Sequence, residues 1–197
     1  MKKVFKKSYV LKNRGCYSKD QVKALEIKDK INLKELFTKL PINDFCWWFT
    51  TKCELTNNQL QEFAVFCAKL VLPIFEKKFP NDNRVRECIE YTERFLKGDT
   101  RKEGLLVKRI AAYAADAAAA YTADYAAAYA AYAAYTAADA AAAYTADYAA
   151  DAAYTAAAAD AAYAAAAADA AYAADALKSF SESVWLFVES IKDTGKN

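Results

Sequence analysis

"TNNQLQEFAVFCAKLVLPIFEKKFPNDNRVRECIEYTERFLKG", residues 56–98, decides the fold class. Thr56 is followed three positions later by Gln59, the reciprocal pairing that satisfies two unpaired backbone donors at a helix start. From there Leu60, Phe63, Ala64, Cys67, Val71 and Ile74 fall at steps of three and four, which draws one apolar stripe along a core-facing helix. Pro73 is expected to kink or end that helix, because its ring removes a donor and crowds the preceding turn. "FPNDNR" then makes a turn, with Asp82 or Asn83 as the cap of a second helix. Its stripe is Val85, Cys88, Ile89, Thr92 and Leu96, and Gly98 closes it in the usual place just past the last turn. Two core-facing helices in 43 residues set the class as all-α.

Working outward, the same cap signature recurs at Ser18 with Gln21, Asn32 with Glu35, and Thr100 with Glu103. In "LPINDFCWWFTTKC" Asn43 or Asp44 is expected to cap a short helix whose Phe45, Trp47, Trp48 and Phe49 fill the centre of a small bundle. The opening "KVFKKSYVLKNRG" has no clear period and reads as a short strand or an extended arm. A single strand makes no sheet, so the class is unchanged. In "LKSFSESVWLFVESIKD" Ser179 and Glu182 form another cap signature, ahead of a stripe of Phe180, Val184, Phe187, Val188 and Ile191. This tail should pack on the N-terminal half as a final helix.

Between these parts, residues 101–178 are written almost wholly in Ala, Tyr, Asp and Thr, without Pro and with one Gly at Gly104. Ala has the highest helix propensity of any residue. One unbroken helix of that length would span about 117 Å, against a radius of gyration of about 16 Å for a compact chain of this size. A hairpin is therefore expected. Tyr113, Tyr121, Tyr125, Tyr129, Tyr132 and Tyr135 share one side of a helical wheel, and the phase breaks near Thr136, which can cap a new helix. "AADAAAAYTADYAA" occurs at 114–127 and again at 137–150, so the reversal is placed between Ala131 and Ala140. The organisation expected is a bundle of residues 1–100, basic and with an aromatic core, a long alanine-rich helical hairpin over 101–178, and an amphipathic helix over 179–197, in one continuous domain.

Charge divides along the same lines. Residues 1–110 carry a surplus of ten positive charges, and residues 111–177 carry eight Asp and no basic residue. Such halves can attract one another within a molecule or between molecules, which keeps open a structural or self-associating scaffold as an alternative function. An acidic decoy for nucleic acid would show a dense stripe on one face, whereas these Asp are scattered over several, so that reading stands as a second alternative. An ice-binding helix would repeat Thr every eleven residues, but Thr122, Thr136, Thr145 and Thr155 are spaced 14, 9 and 10.

Histidine is absent and the five cysteines include no CxxC pair, so neither a disulfide framework, a metal site nor a cofactor is expected. Catalysis is not expected either, and no membrane span or signal segment is read, which places the chain in the cytoplasm. The function expected is binding to a protein partner. Tyr121, Tyr125, Tyr129 and Tyr132 supply rigid amphipathic contact area, and Arg84 and Arg86 are added as groups able to grip a phosphate or carboxylate, although helix-surface ion pairs compete for them.

Residues 67–98 also resemble the Imm-5-like immunity proteins of bacteria and phages. The family pattern is met by Leu72, Pro73, Phe75, Glu76, Pro80, Asp82, Arg84, Arg86, Ile89, Glu90 and Gly98, followed by alanine-rich helices. Val85 stands where that pattern has Pro, and the His residues usual in the tail are missing. The resemblance implies a non-catalytic protein that neutralises a toxin or defence protein by binding it.

Overall fold

The computed structural model describes residues 1–13, 18–98 and 170–191. Its elements run β1 (Val4–Lys6), α1 (Lys7–Lys12), α2 (Lys19–Ala24), β2 (Lys30–Asn32), α3 (Leu33–Lys39), α4 (Ile42–Lys52), α5 (Asn57–Lys78), α6 (Arg84–Leu96) and α7 (Ala170–Ser190). The fold is mainly helical, as the apolar periodicity requires. The cysteine at position 16, the cap signature at Thr100 and residues 101–169 of the expected alanine-rich hairpin lie outside the described residues.

Three of the cap signatures are full capping boxes. Ser18 with Gln21, Asn32 with Glu35 and Thr56 with Gln59 each exchange side-chain and backbone hydrogen bonds at the start of α2, α3 and α5. α4 departs from expectation, because the chain turns into it at Pro41, so Asn43 and Asp44 sit inside its first turn and neither caps it. Proline is well suited to a helix start, where its fixed φ costs nothing. Pro73 does not end α5 either, for the helix continues to Lys78 with the exposed proline inside it. A mid-helix proline costs about 3 kcal/mol, and the burial of Ile74 and Phe75 just beyond it returns roughly 1.5–3 kcal/mol for each side chain.

The N-terminal segment has a partner that the sequence did not announce. β1 pairs antiparallel with β2 in the register Val4↔Asn32, Phe5↔Ile31, Lys6↔Lys30, and the ribbon turns Phe5 and Ile31 inward while its other residues face out. The expectation that no sheet forms is thus corrected by a two-stranded ribbon that leans on the helical core through Phe5. Isolated ribbons of this size are not stable without such support.

The core is one cluster centred on α5, whose Leu60, Phe63, Ala64, Cys67, Val71 and Ile74 are all buried. Phe45, Trp48 and Phe49 of α4 fill it from one side, and the Phe49 and Phe63 rings meet edge-on at 5.0 Å. α6 covers α5 with Val85, Cys88, Ile89 and Thr92, the stripe read from sequence. α7 buries Phe180, Val184 and Val188 in the core and meets α5 through Phe187, which stacks on Phe66 at 4.6 Å, while Trp185 lies against Phe37 of α3 at 5.0 Å. Its expected start at Ser179 is not seen. The helix begins by Ala170 and runs through that residue, because a stretch of Ala upstream gives the backbone no reason to leave the helical region.

Candidate functional site

The residues that carry the family pattern assemble at the joint between α5 and α6. The Asp82 carboxylate accepts from the backbone N–H of Arg84 at 3.1 Å and from the Arg84 Nε at 2.9 Å, so it caps α6 from the turn and holds the guanidinium at once. Asn83, the residue at the cap position itself, makes no side-chain cap bond. One turn further along, Arg86 reaches across to Glu76 of α5 and lies 3.9 Å from Glu90 on its own helix. Phe75 and Ile89, two further residues of the pattern, are buried in the core. Gly98 ends α6 with φ +86°, a conformation that side chains resist. Of the two arginines considered for gripping an anion, Arg84 pairs with Asp82 and Arg86 with Glu76 and Glu90 of its own chain. Tyr121, Tyr125, Tyr129 and Tyr132 lie outside the described residues.

Toward the C-terminal end of α6, away from this joint, the helices leave a groove of about 520 Å³. Its floor is apolar, made by Val65, Phe66 and Leu70 of α5, Leu96 of α6 and Phe187 of α7. Glu62, Lys69, Glu93 and Lys97 form its rim, and Lys69 and Glu93 bridge it with an ion pair of 2.8 Å. An apolar floor inside a mixed charged rim is the make-up of a protein-contact surface. The sequence reading missed this site, though it carried a signal: Phe66 and Leu70, four apart, lie off the main stripe of α5 and give that helix a second apolar face.

Cys46, Cys53, Cys67 and Cys88 are buried free thiols. Burial pushes the Cys53 thiol up to about 12 and also raises those of Cys46 and Cys67 well above the ordinary thiol range, with the nearby Cys46 adding to the effect at Cys67. A thiol held protonated is a poor nucleophile and a poor ligand. Among the described residues no group of three or more His, Cys, Asp or Glu is placed to hold a metal ion, and no helix is long and apolar enough to cross a membrane.

No curated protein and no solved structure matches the chain. The family described as "Imm-5 like putative immunity protein" matches residues 52–182, from the last turn of α4 through α5 and α6 to the middle of α7. That span is about two thirds of the 197 residues and takes in the capped joint and eight of the nine residues lining the groove. On the strength of that match, the chain belongs to the Imm-5 like immunity-protein family.

Proposed function

We propose that this chain is a non-catalytic immunity or counter-defence protein that neutralises a toxin or defence protein by binding it and covering its working surface. The observation that carries this reading is the family match over 52–182, which takes in the groove between α5, α6 and α7 almost entirely. Its apolar floor would bury against the target, and the rim charges would fix the orientation. The alanine-rich segment, with Tyr121, Tyr125, Tyr129 and Tyr132 on one side of a helical wheel, would widen the contact.

The test is protection. Co-expression with the target should restore growth, and Lys97→Glu together with Glu62→Lys, exposed changes on opposite walls of the groove, should abolish protection without lowering the melting temperature. Tyr121→Ala with Tyr125→Ala should weaken protection as well. Full protection by the rim variant would move the interface off this groove, and enzymatic turnover of the target would overturn the reading altogether.

A further inference from the structure

The outer face of the β1–β2 ribbon carries an arrangement that folding alone does not favour. Leu33 donates to the Lys3 carbonyl at 2.8 Å and Lys7 to that of Asp29 at 3.0 Å, which makes residues 3 and 33, and 7 and 29, hydrogen-bonded pairs. In an antiparallel ladder the pairs alternate, so Val4 with Asn32 and Lys6 with Lys30 are the close, non-hydrogen-bonded ones. Lys6 and Lys30 thus stand directly opposite each other, where like charges destabilise a ribbon. Both are exposed, and neither has an ion-pair partner among the described residues.

The same face runs into a second groove of about 430 Å³, lined by Val4, Leu33, Trp185 and Val188, with Lys3 and Lys34 at its edge and Glu189 the acidic residue on its wall. Val4 is 52% exposed in spite of its apolar side chain. Of the nearby carboxylates, Glu35 is already bonded to the Asn32 backbone, and Asp29 adjoins Lys30 in the chain at the end of the ribbon.

We infer that this face docks an acidic protein segment, one that alternates carboxylates with apolar side chains. Its carboxylates would sit between Lys6 and Lys30 and beside Lys34, and its apolar residues over the exposed Val4. A protein fits better than nucleic acid because the face offers point-charge lysines and no arginine fork for phosphate. Its one aromatic ring, that of Trp185, is already packed against Phe37 and Phe45 and provides no platform for a base. The inference goes beyond the immunity reading, since it names the chemistry of a surface recognised by the ribbon, and its test needs no toxin.

The probe is a labelled peptide of alternating Glu and Leu, compared by fluorescence anisotropy with single-stranded oligothymidine of the same length. The peptide should bind the full chain, weaken when salt rises from ~0.05 to ~0.5 M, and weaken again when Ser replaces each Leu. Lys6→Gln with Lys30→Gln should reduce its affinity about tenfold while the melting temperature holds or rises, because the repulsion is gone. Binding unchanged in that variant, or a fall in its melting temperature, would overturn the inference. Tighter binding of oligothymidine that depends on the two lysines would give the face to nucleic acid. Self-association of the unaltered chain that the variant abolishes would give it to the acidic tract of a second copy.

Discussion

α5 and α6 follow each other through a five-residue turn and share one interface, yet they are built on opposite plans. α5 is buried round much of its circumference, including Gln59 and Gln61, while α6 buries one stripe and shows Arg86, Glu87, Glu90 and Arg94 to solvent. The difference separates what holds the molecule together from what covers it. A helix that touches α4, α6 and α7 draws stability from packing volume, and a helix that packs mainly on α5 among the described residues draws it from an apolar stripe and from its caps.

The strongest way to break this contrast is to hollow out each helix in turn. Phe63→Ala in α5 removes a ring that meets both Phe49 and Phe187 and should cost about 3–5 kcal/mol in denaturant unfolding. Ile89→Val in α6 should cost about 0.5–1.5 kcal/mol. Equal losses would show that α6 is as central as α5.

Alkaline titration sharpens the comparison next. Cys46, Cys53 and Cys67 lie in or beside α4 and α5, and each has a thiol pKa raised by burial above its unfolded value. A raised pKa means that the folded state holds the proton more tightly. Its contribution is therefore whole below the unfolded thiol pKa near ~8.5 and is lost as pH climbs from there toward the folded values, about 12 for Cys53. Thermal scans should fall across that window by up to ~1.4 kcal/mol per pH unit for each thiol ionised in the unfolded chain. Ser at all three positions should flatten the slope, and a slope unchanged by that replacement would assign it to other groups.

Caps should separate the helices by a smaller margin. Thr56→Ala strips α5 of a capping box and should cost ~1 kcal/mol, whereas Asn83→Ala at the start of α6 should stay within ~0.5 kcal/mol because its side chain caps nothing. Asp82→Ala should behave like the loss of a true cap, since Asp82 has taken over that task. Arg86→Ala should likewise have a small effect, since its partly exposed ion pairs are worth ~0.2–1 kcal/mol. A larger loss there than at Phe63 would reverse the ranking.

What the sequence made legible was whatever depends on neighbours three or four positions away. The three capping boxes, both stripes and the left-handed Gly98 follow from such short-range patterns, and all are present. The ribbon was not legible, because Phe5 finds Ile31 across 25 intervening residues and each strand is too short to show alternation. Ser179 and Glu182 fit a cap signature by spacing alone, but a signature works only where the helix has reason to begin. The capped joint was legible residue by residue, although not that Arg86 bridges to α5. The groove was missed because its floor needs Phe187, which lies more than a hundred residues from Phe66 along the chain.

That separation has a consequence in time. A ribosome adds roughly 5–20 residues per second, so residues 99–169 take about 4–14 s to appear after α6 is complete. Throughout that interval the faces of α3, α4 and α5 that will receive Phe180, Val184, Trp185 and Phe187 have no cover, and Phe37, Phe63 and Phe66 stand open to any apolar surface nearby. The nascent chain should therefore offer apolar surface to chaperones for seconds on end, and its yield in a cell should follow how quickly the alanine codons between the two halves are translated.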